Sequence, residues 1–186
     1  MERAEVRTGL LDAAEALFYE RGVQAVPMDE IRAAAGLPLK RLYGLYPSKS
    51  ALVKACLERR DTRWRGRLRA HADAAPTPEG RILAVFDWLH QWFCEPGFRG
   101  CAFVNAFGEL GAVDSSVATV ARAHKLAFRD YVAGLVIASG RPAASADAFF
   151  LLAEGAITTA AVSGTPEAGR RAREAAVLLL AATASA

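Results

Sequence analysis

Apolar residues return every three or four positions along nearly the whole chain, the spacing of a helix with one buried face. Val6, Leu10, Ala13, Ala14, Leu17 and Phe18 predict a first helix, which Arg21 and Gly22 end. Pro27 suits the opening position of a second, where a missing N–H costs nothing, and Met28, Ile31 and Ala35 form its inner face. Gly36 supplies a turn, and Pro38 opens a third helix with Leu39, Leu42 and Tyr46 pointing inward. Ser48 is placed to cap a fourth, which carries Leu52, Cys56 and Leu68 along one side and breaks at Ala75-Pro76-Thr77-Pro78. Helical patterns follow at about 78–94, 101–110, 115–138, 144–162 and 166–184. No segment alternates as a strand does, and no internal repeat appears. The pattern predicts an all-α chain of about nine helices.

Composition narrows the class. With 53% hydrophobic and 9% aromatic residues in 186, the chain has ample material for a buried core, and disorder is not expected. Three cysteines are too few and too odd in number for a disulfide framework. The charged start lacks the apolar run of a signal peptide, and no stretch is expected to reach membrane-span length. A cytoplasmic chain without membrane attachment is therefore expected. His71, His90 and His124 are scattered without metal-ligand spacing, so neither a metal nor another cofactor is expected.

Charge adds position to this picture. Residues 1–71 hold 14 Lys/Arg against 9 Asp/Glu, whereas residues 72–186 hold 9 against 11. Between residues 37 and 69 the count is 10 against 2. A short helix, a Gly turn, a second short helix and a Ser-Lys helix start lie inside or beside this basic stretch. That order builds a helix-turn-helix reader of DNA, and the charge is the footprint of a phosphate-binding surface.

Residues 36–49 read Gly-Leu-Pro-Leu-Lys-Arg-Leu-Tyr-Gly-Leu-Tyr-Pro-Ser-Lys. Leu42, Tyr43, Ser48 and Lys49, with Gly22, Ile31, Ala35 and Gly36 before them, make this region resemble the TetR family of bacterial transcriptional regulators. The resemblance covers roughly fifty residues. It implies a three-helix DNA-binding domain over residues 1–48 and a ligand-binding and dimerisation domain over 49–186, with a linking helix at 49–74. It also implies that Tyr43 and Lys49 contact phosphate, with Lys49 near the positive end of its helix.

Departures from the family pattern are informative. Arg41 stands where Thr or a small residue is common, with a basic Lys40 before it, and Leu45 replaces a usual His. Arg41 is the candidate for base readout, because a guanidinium pairs with both acceptors of guanine; the alternative is that Arg41 or Lys40 only touches phosphate. Gly44 costs about 1 kcal/mol inside a helix relative to Ala and would permit close backbone approach to DNA. Val26 and Pro27 replace the usual cap of the second helix. The expected DNA-binding set is Pro38, Lys40, Arg41, Tyr43, Gly44 and Lys49.

The remainder resembles the family in layout only. Members typically sense a small molecule in a helical pocket and pair through their last two helices. Phe149, Ala153, Ala156, Ile157 and Ala160 form one apolar stripe, and Ala172, Ala176, Leu179, Leu180 and Ala184 another; both are expected at a homodimer interface, with packing against the chain's own core as the alternative. Pocket candidates are Phe86, Trp88, Trp92, Phe93, Phe103, Phe107, Phe128 and Tyr131, which ordinary core packing would equally explain. Cys101, Asn105 and Glu109 fall on one stripe, in a Gly-Cys-x-x-x-Asn stretch found in many relatives. Asn105 is open between a ligand contact and a backbone bond, and Glu109 is expected to face water. Cys101, beside Arg99 at a helix start, is a candidate reactive thiol, with an inert buried cysteine as the alternative.

The leading expectation is thus a homodimeric repressor, released from a palindromic operator in double-stranded DNA by an unknown small apolar or aromatic inducer. An architectural nucleoid protein without ligand input is the alternative. An enzyme is not expected, for want of a nucleophile-and-base motif, a Gly-rich phosphate loop or a metal set.

Overall fold

The computed structural model describes residues 3–183. Among these, nine α-helices follow one another: α1 Arg3–Arg21, α2 Met28–Ala34, α3 Leu39–Leu45, α4 Lys49–Asp73, α5 Pro78–Phe93, α6 Ala102–Leu110, α7 Ser115–Ala138, α8 Ala146–Ser163 and α9 Glu167–Thr183. A single 3₁₀ turn, Ala143–Ser145, leads into α8. The all-α expectation holds. Pro27 and Pro38 sit one place earlier than predicted: each is the extended residue just before its helix, with no side-chain oxygen to cap it. Ala184, the last member of the second apolar stripe, lies outside the described residues.

Contacts group the chain into two compact units. Among the described residues, the first takes in 3–62 together with Ala102–Ala123, and the second Arg63–Cys101 together with 124–183.

In the first unit, α1 turns Val6, Leu10, Ala14 and Phe18 inward, and Ile31 of α2, Leu42 of α3 and Leu52 of α4 join them, all buried. Leu39 departs from its predicted inward position and is 43% exposed. It belongs to the first turn of a seven-residue helix whose single buried residue is Leu42, three positions on. Polar straps complete the packing. Arg59 of α4 binds Asp12 at 2.8 Å and Glu15 at 2.6 Å on α1. Ser48 accepts a hydrogen bond from Ala51 N at 3.1 Å and so caps α4 as its sequence position predicts. Asp114 does the same for α7, accepting from Ser116 N at 3.0 Å and Val117 N at 3.2 Å.

The second unit is built on α5, α8 and α9, which pack mutually. Gly169 on α9 permits their closest approach: a Cβ there would stand 2.8 Å from the Cα of His90 on α5. Trp64 sits at the centre of the ring cluster, edge-on to Trp88, Trp92, His124 and Phe128 with centroids 5.0–5.7 Å apart. Edge-to-face pairs of this kind add to the burial of large apolar surfaces. Arg141 closes one end, with Nη1 3.0 Å from Glu79 and Nη2 donating to the Leu180 carbonyl at 3.2 Å.

One membrane expectation needs correction. The 21 residues Ala143–Ser163 are long and apolar enough to span a bilayer by length and composition. Their apolar excess has another use here. Phe149, Ala153, Ala156, Ile157 and Ala160 are buried in the α5–α8–α9 packing.

Candidate functional site

The helix-turn-helix is α2, a Gly turn and α3, and its outward face carries the sequence-predicted DNA contacts. Because Leu42 anchors α3, its neighbours in sequence must project away from the core. Lys40, Arg41 and Gly44 are exposed, Pro38 beside them also, and Tyr43 is 44% exposed. Among the described residues no carboxylate pairs with Lys40 or Arg41. A Cβ at Gly44 would meet nothing within 4 Å, so the helix presents bare backbone to solvent there. Tyr46 is the exception on this segment. It is buried, and its hydroxyl accepts a hydrogen bond from Arg7 Nε at 2.8 Å, which fastens the end of α3 to α1.

Lys49 is half-buried at the first position of α4. Its Nζ donates to the Gln24 carbonyl at 3.4 Å. Partial burial pushes its pKa down, and the nearby Glu109 carboxylate opposes that shift. A phosphate at this position would favour the charged form in the same way.

Glu109 does not face water alone, contrary to expectation. Oε1 accepts from Val23 N at 3.0 Å and Oε2 from Gln24 N at 2.7 Å, while Gln24 Nε2 donates to the Glu109 carbonyl at 2.6 Å. This carboxylate on α6 therefore binds the turn between α1 and α2, whose backbone also holds Lys49. Gly22 makes the approach possible: it has φ +85°, and a Cβ there would lie 2.9 Å from Glu109 Oε1. Sequence spacing could not reveal this strap, because its partners are backbone groups more than eighty residues away.

The predicted ligand set divides between the units. In the first, Phe103 is buried while Asn105 and Phe107 are exposed; in the second, Phe86, Trp88, Trp92, Phe93, Cys101 and Phe128 are buried and Tyr131 is half-buried. The rings of the second unit largely occupy one another's space. Tyr131 donates to Asp73 Oδ1 at 3.1 Å, and its pKa is raised by burial and then by that carboxylate. Cys101 precedes α6, is buried, and accepts from Lys125 Nζ at 3.4 Å; the same ammonium binds Glu154 at 2.6 Å.

A cleft lies elsewhere, inside the first unit. It measures about 420 Å³ including its open mouth and is lined by α1, α4 and α6, with Asn105 and Glu109 among its residues. The predicted dimerisation stripes point inward: Phe149, Ala153, Ala156, Ile157, Ala160, Ala172, Ala176 and Leu180 are buried within the chain and Leu179 is half-buried. The same helices leave Leu151 66%, Val162 85% and Leu178 72% exposed on other faces.

The model of the family described as bacterial regulatory proteins, tetR family, matches residues 10–56, which contain the helix-turn-helix. The chain is 30% identical over 159 residues to the transcriptional regulator AcuR of Cereibacter sphaeroides, an alignment covering 80% of this chain and 73% of that one. A TetR-family transcriptional regulator from Streptomyces coelicolor has a similar structure, with a TM-score of 0.88, 28% identity and coverage of 97% and 96% of the two chains. The regulatory protein TetR from Rhodobacter sphaeroides is also similar, with a TM-score of 0.77, 25% identity and coverage of 91% and 95%.

Proposed function

The chain belongs to the TetR family of transcriptional regulators, and from that premise we propose that it is a cytoplasmic homodimeric repressor released from a palindromic operator by a small molecule. The observation that carries the reading is the outward face of α3. Lys40 and Arg41 project from a helix anchored by Leu42, and among the described residues no carboxylate engages either cation. Such cations favour phosphate and guanine edges, the two targets of a major-groove helix. Tyr43 on that helix and Lys49 just beyond it serve as phosphate contacts, Pro38 directly precedes it, and Gly44 lets its backbone approach the duplex.

Dimerisation rests on the outer faces of α8 and α9. Leu151, Gly155, Thr158 and Val162 fall at i, i+4, i+7 and i+11, and all are exposed. On α9, Val177 and Leu178 are exposed likewise. Four such helices from two chains would bury this apolar surface. The inward residues predicted from sequence support that face from beneath. A symmetric dimer requires two half-sites roughly 34 Å apart or a multiple of it, and an effector that favours another spacing lowers operator affinity. The inducer expected from the sequence is a small apolar or aromatic molecule.

Selection from a random duplex library tests this reading. Enrichment of a palindrome, bound as one dimer per site, is expected. Binding without enrichment that vanishes as salt rises would favour the architectural alternative.

A further inference from the structure

We propose that the cleft bordered by α1, α4 and α6 binds a small monoanionic molecule with an apolar body, such as a short-chain or single-ring carboxylate, and that this occupancy is an effector signal. The second half of the proposal rests on the regulator reading above; the first half does not.

Phe18, Val53, Cys56, Leu57 and Ala106 give the cleft an apolar wall. Arg60 gives it a cation, seated 4.0 Å above the centroid of the Tyr19 ring. Its sequence neighbour Arg59 is held by Asp12 and Glu15, but among the described residues no carboxylate pairs with Arg60. The two carboxylates lining the cleft are already engaged. Glu15 binds Arg59 at 2.6 Å, and Glu109 accepts two backbone N–H groups. The uncommitted charge in the cleft is therefore positive.

A guanidinium steadied against an aromatic face binds a carboxylate through two parallel hydrogen bonds, while the apolar wall accepts a ring or short chain. Asn105, from α6, adds an amide to the lining. The cleft, about 420 Å³ with its open mouth, suits a small occupant.

The same cleft touches the strap on the reading head. Asn105 stands one helical turn before Glu109 on α6, and both line the cleft. A ligand that moves α6 relative to α1 displaces the Glu109 carboxylate from Val23 N and Gln24 N. The Gln24 carbonyl in turn holds Lys49, a proposed phosphate contact. Occupancy thus reaches the DNA-facing surface through one carboxylate and one turn.

Calorimetry on the full chain with benzoate, butyrate and neutral benzamide tests the site. At least one carboxylate is expected to bind, with benzamide about tenfold weaker or worse. Arg60→Met should weaken carboxylate binding by about tenfold or more, and Arg67→Met, which alters an arginine bound to Glu95 in the second unit, should not. Backbone NMR of the unaltered chain gives a check that needs no variant: the carboxylate that binds must shift Ala102, Asn105 and Ala106. That carboxylate should also weaken operator binding by the unaltered chain. No carboxylate binding up to about 10 mM, shifts confined to other residues, or unchanged affinity in a folded Arg60→Met chain would overturn the site. A carboxylate that binds in the cleft and leaves operator affinity unchanged would overturn the effector role. If no operator is ever enriched, the regulator reading fails while calorimetry and NMR still judge the site.

Discussion

The reading head and the ring cluster of the second unit use their large side chains in opposite ways. Around Trp64, aromatic rings meet edge to face and satisfy one another, leaving the cluster's chemistry turned inward. On α3 a single leucine is buried, and the cations beside it have no carboxylate partner among the described residues. A patch that holds itself together internally is read as structure, and one that leaves charge unpaired on a rigid support is read as a site. The same contrast separates Arg59, bound by two carboxylates, from its neighbour Arg60, which stacks on the Tyr19 ring and has no carboxylate partner among the described residues.

Substitutions can break this contrast, beginning with the strongest. Trp64→Ala removes the hub of the ring cluster and should cost about 3–5 kcal/mol in chemical denaturation. A cost below about 1 kcal/mol would mean that the cluster is loosely packed and its rings are available to a ligand. Glu109→Ala strips two backbone N–H groups of their acceptor and should cost about 1–2 kcal/mol. Operator affinity should fall with it, because the turn that holds Lys49 is released. Unchanged affinity would show that the strap serves stability alone.

Smaller changes sharpen the picture. Gly44→Ala places a methyl group in open space and should stabilise the chain by about 1 kcal/mol through helix propensity, while weakening operator binding. If affinity holds, the bare backbone is not a contact. Asp114 caps α7, and its pKa is lowered by hydrogen bonds from Ser50 and Ser116 and from backbone N–H groups, against the opposing effect of burial. A lowered folded-state pKa means that its contribution is complete above the unfolded carboxylate pKa and is lost as pH falls through the folded one. Asp114→Asn should remove that part of the acid sensitivity and, through loss of the negative charge at the start of α7, cost about 0.5 kcal/mol at neutral pH. Denaturation at several pH values measures both.

Much of the fold was legible because helix punctuation is local. Ser48 caps where its sequence position predicts, and Leu10, Ile31 and Leu42 are buried as their spacing requires. The outward face of α3 was legible for the same reason, since burying Leu42 dictates where Lys40, Arg41 and Gly44 point. The stripes on α8 and α9 were harder. Periodicity marks Phe149 and Ala153 as apolar, but whether the facing surface belongs to the same chain or to a second one is a tertiary fact. Here they are buried within one chain, and Leu151 and Leu178 are left outside. The Glu109 strap and the Arg60 cleft were invisible, because each depends on backbone or ring partners distant in sequence.

The reading of α3 is tested most directly by comparing base-preference profiles and salt dependence for Arg41→Ala and Lys40→Ala on the enriched operator. The account predicts that Arg41→Ala flattens preference at one position per half-site, at a cost of about 1–3 kcal/mol, with an unchanged salt slope. Lys40→Ala should weaken all sequences alike and reduce the slope by about 1. Two variants that behave identically, with the preference profile intact in both, would contradict direct readout by Arg41.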